Sequence, residues 1–342
     1  MKPRLHSLRR FAACAATAWV SGGSAANAQY STGDTQVQLH LDARSRIASA
    51  TRGQGGLYSG SLFISSRLAP GLKFNYNGVQ NNHASAFGVG GRFSSFVTQE
   101  ATLQKDWKDQ QLQVGIIRLP FGLSNFSETY ASGLIDYPIA RGDYELFGTN
   151  WGVPGVRFNG GVPNLRIEAA AFGGQGAGVW GNRNNISGIS LRMQGYSKDF
   201  IVGISRWDGT LSPGGNHGAR GRTHLNGIDI RYTRPHLLIR GEYLFGLLGD
   251  EYQQGTYLDV YYHLPKFHRW TLTLRAENFR ANISDPWLNQ FTVGFRYTLS
   301  REWVAAFNWR FNNGGNYDEG TWTSPTGRMG DALVQVYRKI SF

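Results

Sequence analysis

The chain has 342 residues, of which 17% are charged and 13% aromatic, with 45 glycines and a formal net charge of +12. A soluble domain carries about 25% charged residues, so this composition argues against an ordinary water-soluble core. Beyond the N-terminus no apolar stretch approaches the ~18 residues of a spanning helix, and the basic residues are scattered rather than run together, which argues against a nucleic-acid partner.

The first 28 residues read as a secretory signal peptide. Lys2, Arg4, Arg9 and Arg10 form a basic start, Phe11 to Val20 a short apolar run, and Ala26-Asn27-Ala28 a small-residue cleavage site. The only cysteine, Cys14, lies inside this segment. Almost no apolar stretch precedes it, so lipidation there is not expected, and the remaining chain has no disulfide to stabilise it.

From residue 29 the pattern has period two rather than a helical period. Leu165, Ile167, Ala169 and Ala171 oppose Arg166 and Glu168; Leu237, Ile239, Tyr243 and Phe245 oppose Arg240 and Glu242. Phe291, Val293, Phe295, Tyr297 and Leu299 alternate with Thr292, Gly294, Arg296 and Thr298. Trp303, Ala305, Phe307, Trp309 and Phe311 form one face, with Asn308 and Arg310 on the other. Successive side chains of a strand point to opposite faces, so each segment has one apolar and one polar side. About sixteen such segments follow, each about ten residues long, as a tilted membrane strand requires. Their expected starts are Thr35, Gly56, Leu72, Phe96, Gln110, Trp151, Leu165, Ile186, Phe200, Thr223, His236, Tyr252, Trp270, Asn289, Trp303 and Ala332.

The connections alternate in length. Short ones include Leu68 to Gly71, Lys105 to Asp109, Gly160 to Asn164, Ser197 to Asp199, Thr233 to Pro235, Leu264 to Arg269 and Leu299 to Glu302. Long ones include Gln80 to Gly91, Pro120 to Asn150, Gly173 to Asn185, Gly209 to Arg222, Leu247 to Glu251, Arg280 to Leu288 and Asn313 to Asp331. Short periplasmic turns and long extracellular loops are the habit of outer-membrane barrels. An open sheet edge is not viable in hydrocarbon, so the sheet must close. The expected fold is therefore an all-β, closed antiparallel transmembrane barrel of about sixteen strands in the bacterial outer membrane, spanning residues 29–342. Tyr76, Tyr232, Phe245, Tyr262, Trp270, Phe279, Tyr297, Trp303 and Phe311 fit interfacial girdles. In the closing segment Val334, Val336, Ile340 and Phe342 share one face, and Arg338 interrupts it. Arg338 sits near the periplasmic rim, meets another subunit, or marks a different register. Arg118 raises the same question at the outer end of its strand.

A barrel of this size encloses an aqueous channel, whereas eight strands are filled by side chains. Alternation places Lys73, Arg166, Arg192, Arg231, Arg240, Arg275, Arg296, Arg310, Glu168, Glu242 and Glu277 on the pore-lining face. Arg166 with Glu168, and Arg240 with Glu242, are candidate ion pairs that brace the wall. The segment 120–150 is longer than a connection needs, and long loops are usually functional. It is expected to fold into the pore and to set Glu128, Asp136, Arg141, Asp143 and Glu145 at a constriction. The lumen arginines suit carboxylates and phosphates and point to a mild anion preference, which the loop acids oppose.

Gly115-Ile116-Ile117-Arg118-Leu119-Pro120-Phe121-Gly122, a strand entering the long third loop, resembles the corresponding stretch of the phosphate-selective porin O and P group. With the signal, the strand count and the terminal Phe342, the resemblance implies a sixteen-stranded and usually trimeric porin. The expected partners are outer-membrane lipid, small hydrophilic or anionic solutes and two further copies of the chain. The alternative is an adhesin or glycan-binding barrel acting through its extracellular loops. Gly88-Val89-Gly90-Gly91 lacks the strand–helix context of a dinucleotide site, and His217 and His224 have no further metal ligands around them. Neither an enzymatic activity nor a cofactor nor a metal is expected.

Overall fold

The computed structural model describes residues 34–48, 54–81, 97–123, 133–135, 138, 152–177, 183–212, 221–248, 251–280, 283–284, 287–313, 316–318, 321–323 and 329–341. The strands are β1 (Thr35–Ala48), β2 (Gln54–Ala69), β3 (Leu72–Asn81), β4 (Val97–Trp107), β5 (Gln110–Arg118), β6 (Gly152–Val162), β7 (Leu165–Ala177), β8 (Arg183–Tyr196) and β9 (Phe200–Ser212). They continue as β10 (Gly221–Arg234), β11 (Leu237–Leu248), β12 (Glu251–His263), β13 (Trp270–Arg280), β14 (Leu288–Thr298), β15 (Trp303–Asn313), β16 (Asn316–Asp318), β17 (Thr321–Thr323) and β18 (Met329–Ser341). Sixteen of them form a closed antiparallel barrel, each hydrogen-bonded to its neighbours in chain order. β18 skips the small β16–β17 hairpin to pair with β15, then closes on β1 with Gln38 opposite Ser341 and Asp42 opposite Tyr337. The barrel thus has no free edge to leave unpaired in a bilayer.

The wall is sorted opposite to a soluble protein. Along β13, Trp270, Leu272 and Leu274 are exposed while Thr271, Thr273, Arg275 and Glu277 are buried. Leu272 is 45% exposed and the Asp259 opposite Arg275 is 0% exposed. Apolar groups gain nothing from facing water, so the medium outside the wall is hydrocarbon and the polar face is internal. Exposed Leu103, Val114, Val156, Ile204, Ile230, Leu258 and Phe295 continue the same skin around the barrel. Toward the short-turn end, aromatic rings cluster across strands: Phe200 with Tyr232 at 4.7 Å between centroids, and Trp270 with Tyr297 at 4.6 Å. Amphipathic rings of this kind settle at a membrane–water interface.

Each barrel strand begins within three residues of its expected start. Three details differ from the sequence reading. β11 and β12 are joined through residues 249–250, and β7 and β8 through 178–182, because the ladders of both hairpins run further, to Leu248 opposite Glu251 and Ala177 opposite Arg183. Phe279 is fully buried and points inward, where it joins an internal apolar cluster instead of a girdle. Cross-strand pairing also enters on β11, where Arg240 binds Asp259 of β12, since directly opposed residues lie closer than residues two apart along one strand.

Arg338 shares the outer face with Val336, at the periplasmic end of β18. Its guanidinium lies 5.0 Å from the centre of the Trp303 ring and 3.6 Å from Glu302 Oε2 in the preceding short turn. A cation there costs little, since the penalty falls to about 0–1 kcal/mol near an interface. Arg118 donates to Gln99 Oε1 at 3.2 Å and lies 3.9 Å from Glu100, beside a β-bulge where Asn77 and Gly78 face Glu100 and Thr98. Residues 1–28, expected to be a signal, and Phe342 lie outside the described residues.

Candidate functional site: the lumen wall and the third connection

The lumen is lined by a belt of charged and amide side chains held by one another. On β7, Glu168 accepts from Arg157 of β6 at 2.5 Å, and Arg166 donates to Asn159 at 2.6 Å while lying 3.7 Å from Glu168. Nη2 of Arg192 on β8 donates to both oxygens of Asp229 on β10, at 3.0 and 3.1 Å. That link passes over β9 at Gly203, where a Cβ would collide with Asp229 Oδ2, so only glycine admits the carboxylate. Asp259 on β12 gathers four donor groups: Arg240 Nε at 2.8 Å, Arg275 Nε at 2.6 Å and Nη2 at 3.0 Å, and the Tyr261 hydroxyl at 3.0 Å. The Tyr257 and Tyr261 rings flank these guanidiniums at 5.7 and 5.3 Å. Lys73 on β3 pairs with Asp106 on β4 at 2.8 Å, and Glu277 accepts from Gln290 at 2.6 Å. Buried charges persist only when matched in this way.

Arg231, Arg296 and Arg310 complete the set read from alternation. Arg231 is exposed on the inner face, opposite Arg240 across the β10–β11 ladder. Arg310 stands between Thr292 and Asp331 on its neighbouring strands. Arg296 stands between Thr271 and Ala306. Neither Arg231 nor Arg296 has an acid partner among the described residues. Arg157 was missed by the sequence reading, although its place between Val156 and Phe158 carries the same alternation signal.

The chain leaving β5 runs along the inside of this wall. Ser190 Oγ of β8 donates to the Pro120 carbonyl at 2.8 Å, Gly122 N–H donates to Ser205 Oγ of β9 at 3.1 Å, and Leu123 N–H donates to Glu242 Oε1 of β11 at 2.8 Å. Ten residues later the same segment touches β15: Ile135 N–H donates to Asn308 Oδ1 at 2.7 Å, and Asn308 Nδ2 donates to the Gly133 carbonyl at 3.0 Å. Gly133 has φ +86°, and a Cβ there would fall 2.8 Å from Cβ of Arg296. Apolar contacts secure both ends. Phe121 packs edge-on against Trp207 with centroids 6.4 Å apart, within a cluster that includes Ile117, Leu119, Phe172, Leu225, Leu244, Phe279 and Leu288. Ile135 packs with Ala306 and Leu333. These inward apolar residues depart from a purely polar lumen face, and those of the Phe121 cluster lie near the long-connection end of their strands. Glu128, Asp136, Arg141, Asp143 and Glu145 lie outside the described residues.

No protein-family model and no curated protein sequence matches the chain. Solved structures do. OmpF of Salmonella typhi, in complex with daunomycin, aligns with a TM-score of 0.67 and 12% identity, over 91% of this chain and 99% of that one. The anion-selective porin of Comamonas acidovorans aligns with a TM-score of 0.60 and 12% identity, over 89% and 99%. OmpT, an outer membrane protein of Vibrio cholerae in its trimer form, aligns with a TM-score of 0.62 and 10% identity, over 89% and 98%. The fold is that of the sixteen-stranded outer-membrane porins.

Proposed function

We propose that the protein is a passive porin for small hydrophilic solutes with a mild preference for anions, and that segment 120–150 crosses the lumen and narrows it. One observation carries the constriction: residues 122–123 bond to β9 and β11 while residues 133–135 bond to β15, inside one closed ring. The anion preference rests on charge pairing. Asp106, Glu168, Asp229 and Asp259 are each matched by a cation, whereas Arg231 and Arg296 meet no acid among the described residues. Rings of charged side chains set ion preference in a pore. Assembly as a homotrimer in outer-membrane lipid belongs to the same reading, supported by the trimer form of the Vibrio cholerae neighbour.

Reconstitution in a planar bilayer under a KCl gradient tests it. Steady ohmic steps with a chloride-selective reversal potential are expected. A correctly inserted protein that passes no current overturns the porin reading, and a potassium-selective potential overturns the anion preference alone.

A further inference from the structure

On the largely apolar outer skin of the barrel, a cluster of charged and polar side chains stands on β9 and β10, toward the long-connection side. Arg206 and Asp208 of β9 and His224 and Asn226 of β10 face outward there, in register with Asn226 opposite Arg206 and His224 opposite Asp208. Their neighbours on the outer face of β8 are exposed Leu191 and Ile189. Below them lie Ile204 and Ile228, then Val202 and Ile230. The cluster is internally organised. Nη2 of Arg206 donates to Asp208 Oδ1 at 2.7 Å, its Nε bonds the other carboxylate oxygen, and Nη1 reaches Asn226 at 3.3 Å. Asp208 Oδ1 is 2.6 Å from His224 Nδ1, which leaves Nε2 without a partner among the described residues. One residue pair further toward the outer rim, Arg222 is also exposed on this face. The side chains of Arg206, Asp208 and His224 are 55%, 29% and 41% exposed.

A charged group on the lipid face is costly at mid-bilayer and nearly free at an interface, so this cluster needs polar company. Its charge is biased: two arginines and a histidine surround one carboxylate. The described side chains of a second copy have little to offer them. Among the described side chains, the other strand acids (Asp42, Glu100, Asp106, Glu168, Asp229, Glu242, Asp259 and Glu277) face the lumen. Asp34, Asp109, Asp199 and Glu302 sit at the short-turn, periplasmic end. What lies against this height of the wall in a membrane is lipid, and basic clusters at a headgroup level recognise anionic headgroups.

We propose that Arg206, Arg222 and His224, positioned by Asp208 and Asn226, seat the phosphate of an anionic lipid headgroup in the outer leaflet. Asp208 accepts from His224 Nδ1 and fixes the ring; the imidazolium form then has its Nε2–H left to donate to a phosphate oxygen. Arg222 supplies a cation with no carboxylate partner among the described residues.

Native mass spectrometry of the full chain in detergent tests this. The probes are a diphosphorylated glucosamine-disaccharide lipid, its dephosphorylated form and inorganic phosphate. The phosphorylated lipid is expected to stay bound, the dephosphorylated form to dissociate, and millimolar inorganic phosphate to leave the lipid in place. Arg222→Gln with His224→Gln keeps the Arg206–Asp208 pair and should weaken retention about fivefold per arginine removed. Arg206→Gln with Asp208→Asn removes the pair without stranding a charge and should weaken it too. Arg222→Lys should retain it. Heat-modifiable gel mobility verifies that each variant is a folded barrel. Equal retention of both lipids, or of one lipid by all variants, overturns the proposal. So does displacement by inorganic phosphate, which makes it a free-anion site, or a change of subunit count in the variants, which makes the face a contact between copies.

Discussion

Asn308 and Ile135 are 173 positions apart in sequence and share a 2.7 Å hydrogen bond inside the barrel. The same carboxamide holds the Gly133 carbonyl, so one side chain grips both polar directions of a short backbone stretch. Each such bond contributes about 1 kcal/mol net. Asn308→Leu removes both and should weaken the anchorage of the segment to β15 by about 2 kcal/mol. The barrel ladder is untouched, so its unfolding temperature should hold while single-channel records become noisier and the mean conductance rises. An unchanged conductance trace would separate the Gly133–Ile135 contact from the constriction.

Arg296 lies beneath that contact and keeps a charge that no described acid neutralises. A unit charge acts on an ion at roughly 8 Å in water with about 0.5 kcal/mol, about a twofold change in local anion concentration. Arg296→Gln should therefore shift the reversal potential toward potassium, and Arg296→Glu further. Because screening shortens to ~3 Å at 1 M salt, both shifts should shrink as the KCl concentration is raised. Arg275→Gln is the contrast. Its charge is matched by Asp259 at 2.6 Å, so its replacement should act on stability more than on selectivity.

The fold was legible because its largest signal is local. Apolar side chains at every second position, as in Phe291 to Phe295 or Trp303 to Phe311, need no tertiary information to be read. Alternation alone placed Arg275 and Glu277 on the inner face, where the structure has them buried. It failed where two faces compete for the same residue type. Arg206-Trp207-Asp208 was assigned to neither face; Trp207 turns inward and is 1% exposed. The decisive partners, Phe121 and Phe172, come from the third connection and β7, at long range in sequence. For the same reason the anchoring of that connection by Ser205, Glu242 and Asn308 was invisible, since a lone serine or asparagine on a polar face carries no signal of what it will hold.

Gly203 provides a steric test of the wall. A methyl group at this position would run into the Asp229 carboxylate, on a directly opposed residue of β10. Gly203→Ala should push Asp229 off its 3.0 Å contact with Arg192 and lower barrel stability by about 1–3 kcal/mol, the usual cost of overpacking. Gly195, on β8, has open space for 4 Å around the place a Cβ would take, and serves as the control. Thermal loss of heat-modifiable mobility reads both, and Gly195→Ala should leave it in place.

Two tryptophans separate the inside of the barrel from the outside. Trp207 is fully enclosed with Phe121 and Phe172, at 6.4 and 6.0 Å between centroids. Trp309 is 40% exposed on the outer face, beside Phe311 at 6.2 Å. Trp207→Ala opens a cavity in a packed cluster and should cost about 3–5 kcal/mol. Trp309→Ala exchanges ring contacts for lipid contacts and should lose little more than its aromatic pairing, about 1 kcal/mol. Nε1 of Trp207 has no hydrogen-bond partner among the described residues. Trp207→Phe therefore relieves a buried donor while keeping most of the ring, and should cost much less than Trp207→Ala. Denaturant unfolding in lipid vesicles measures all three, and a Trp309→Ala penalty equal to that of Trp207→Ala would mean that the assignment of faces on β9 or β15 is wrong.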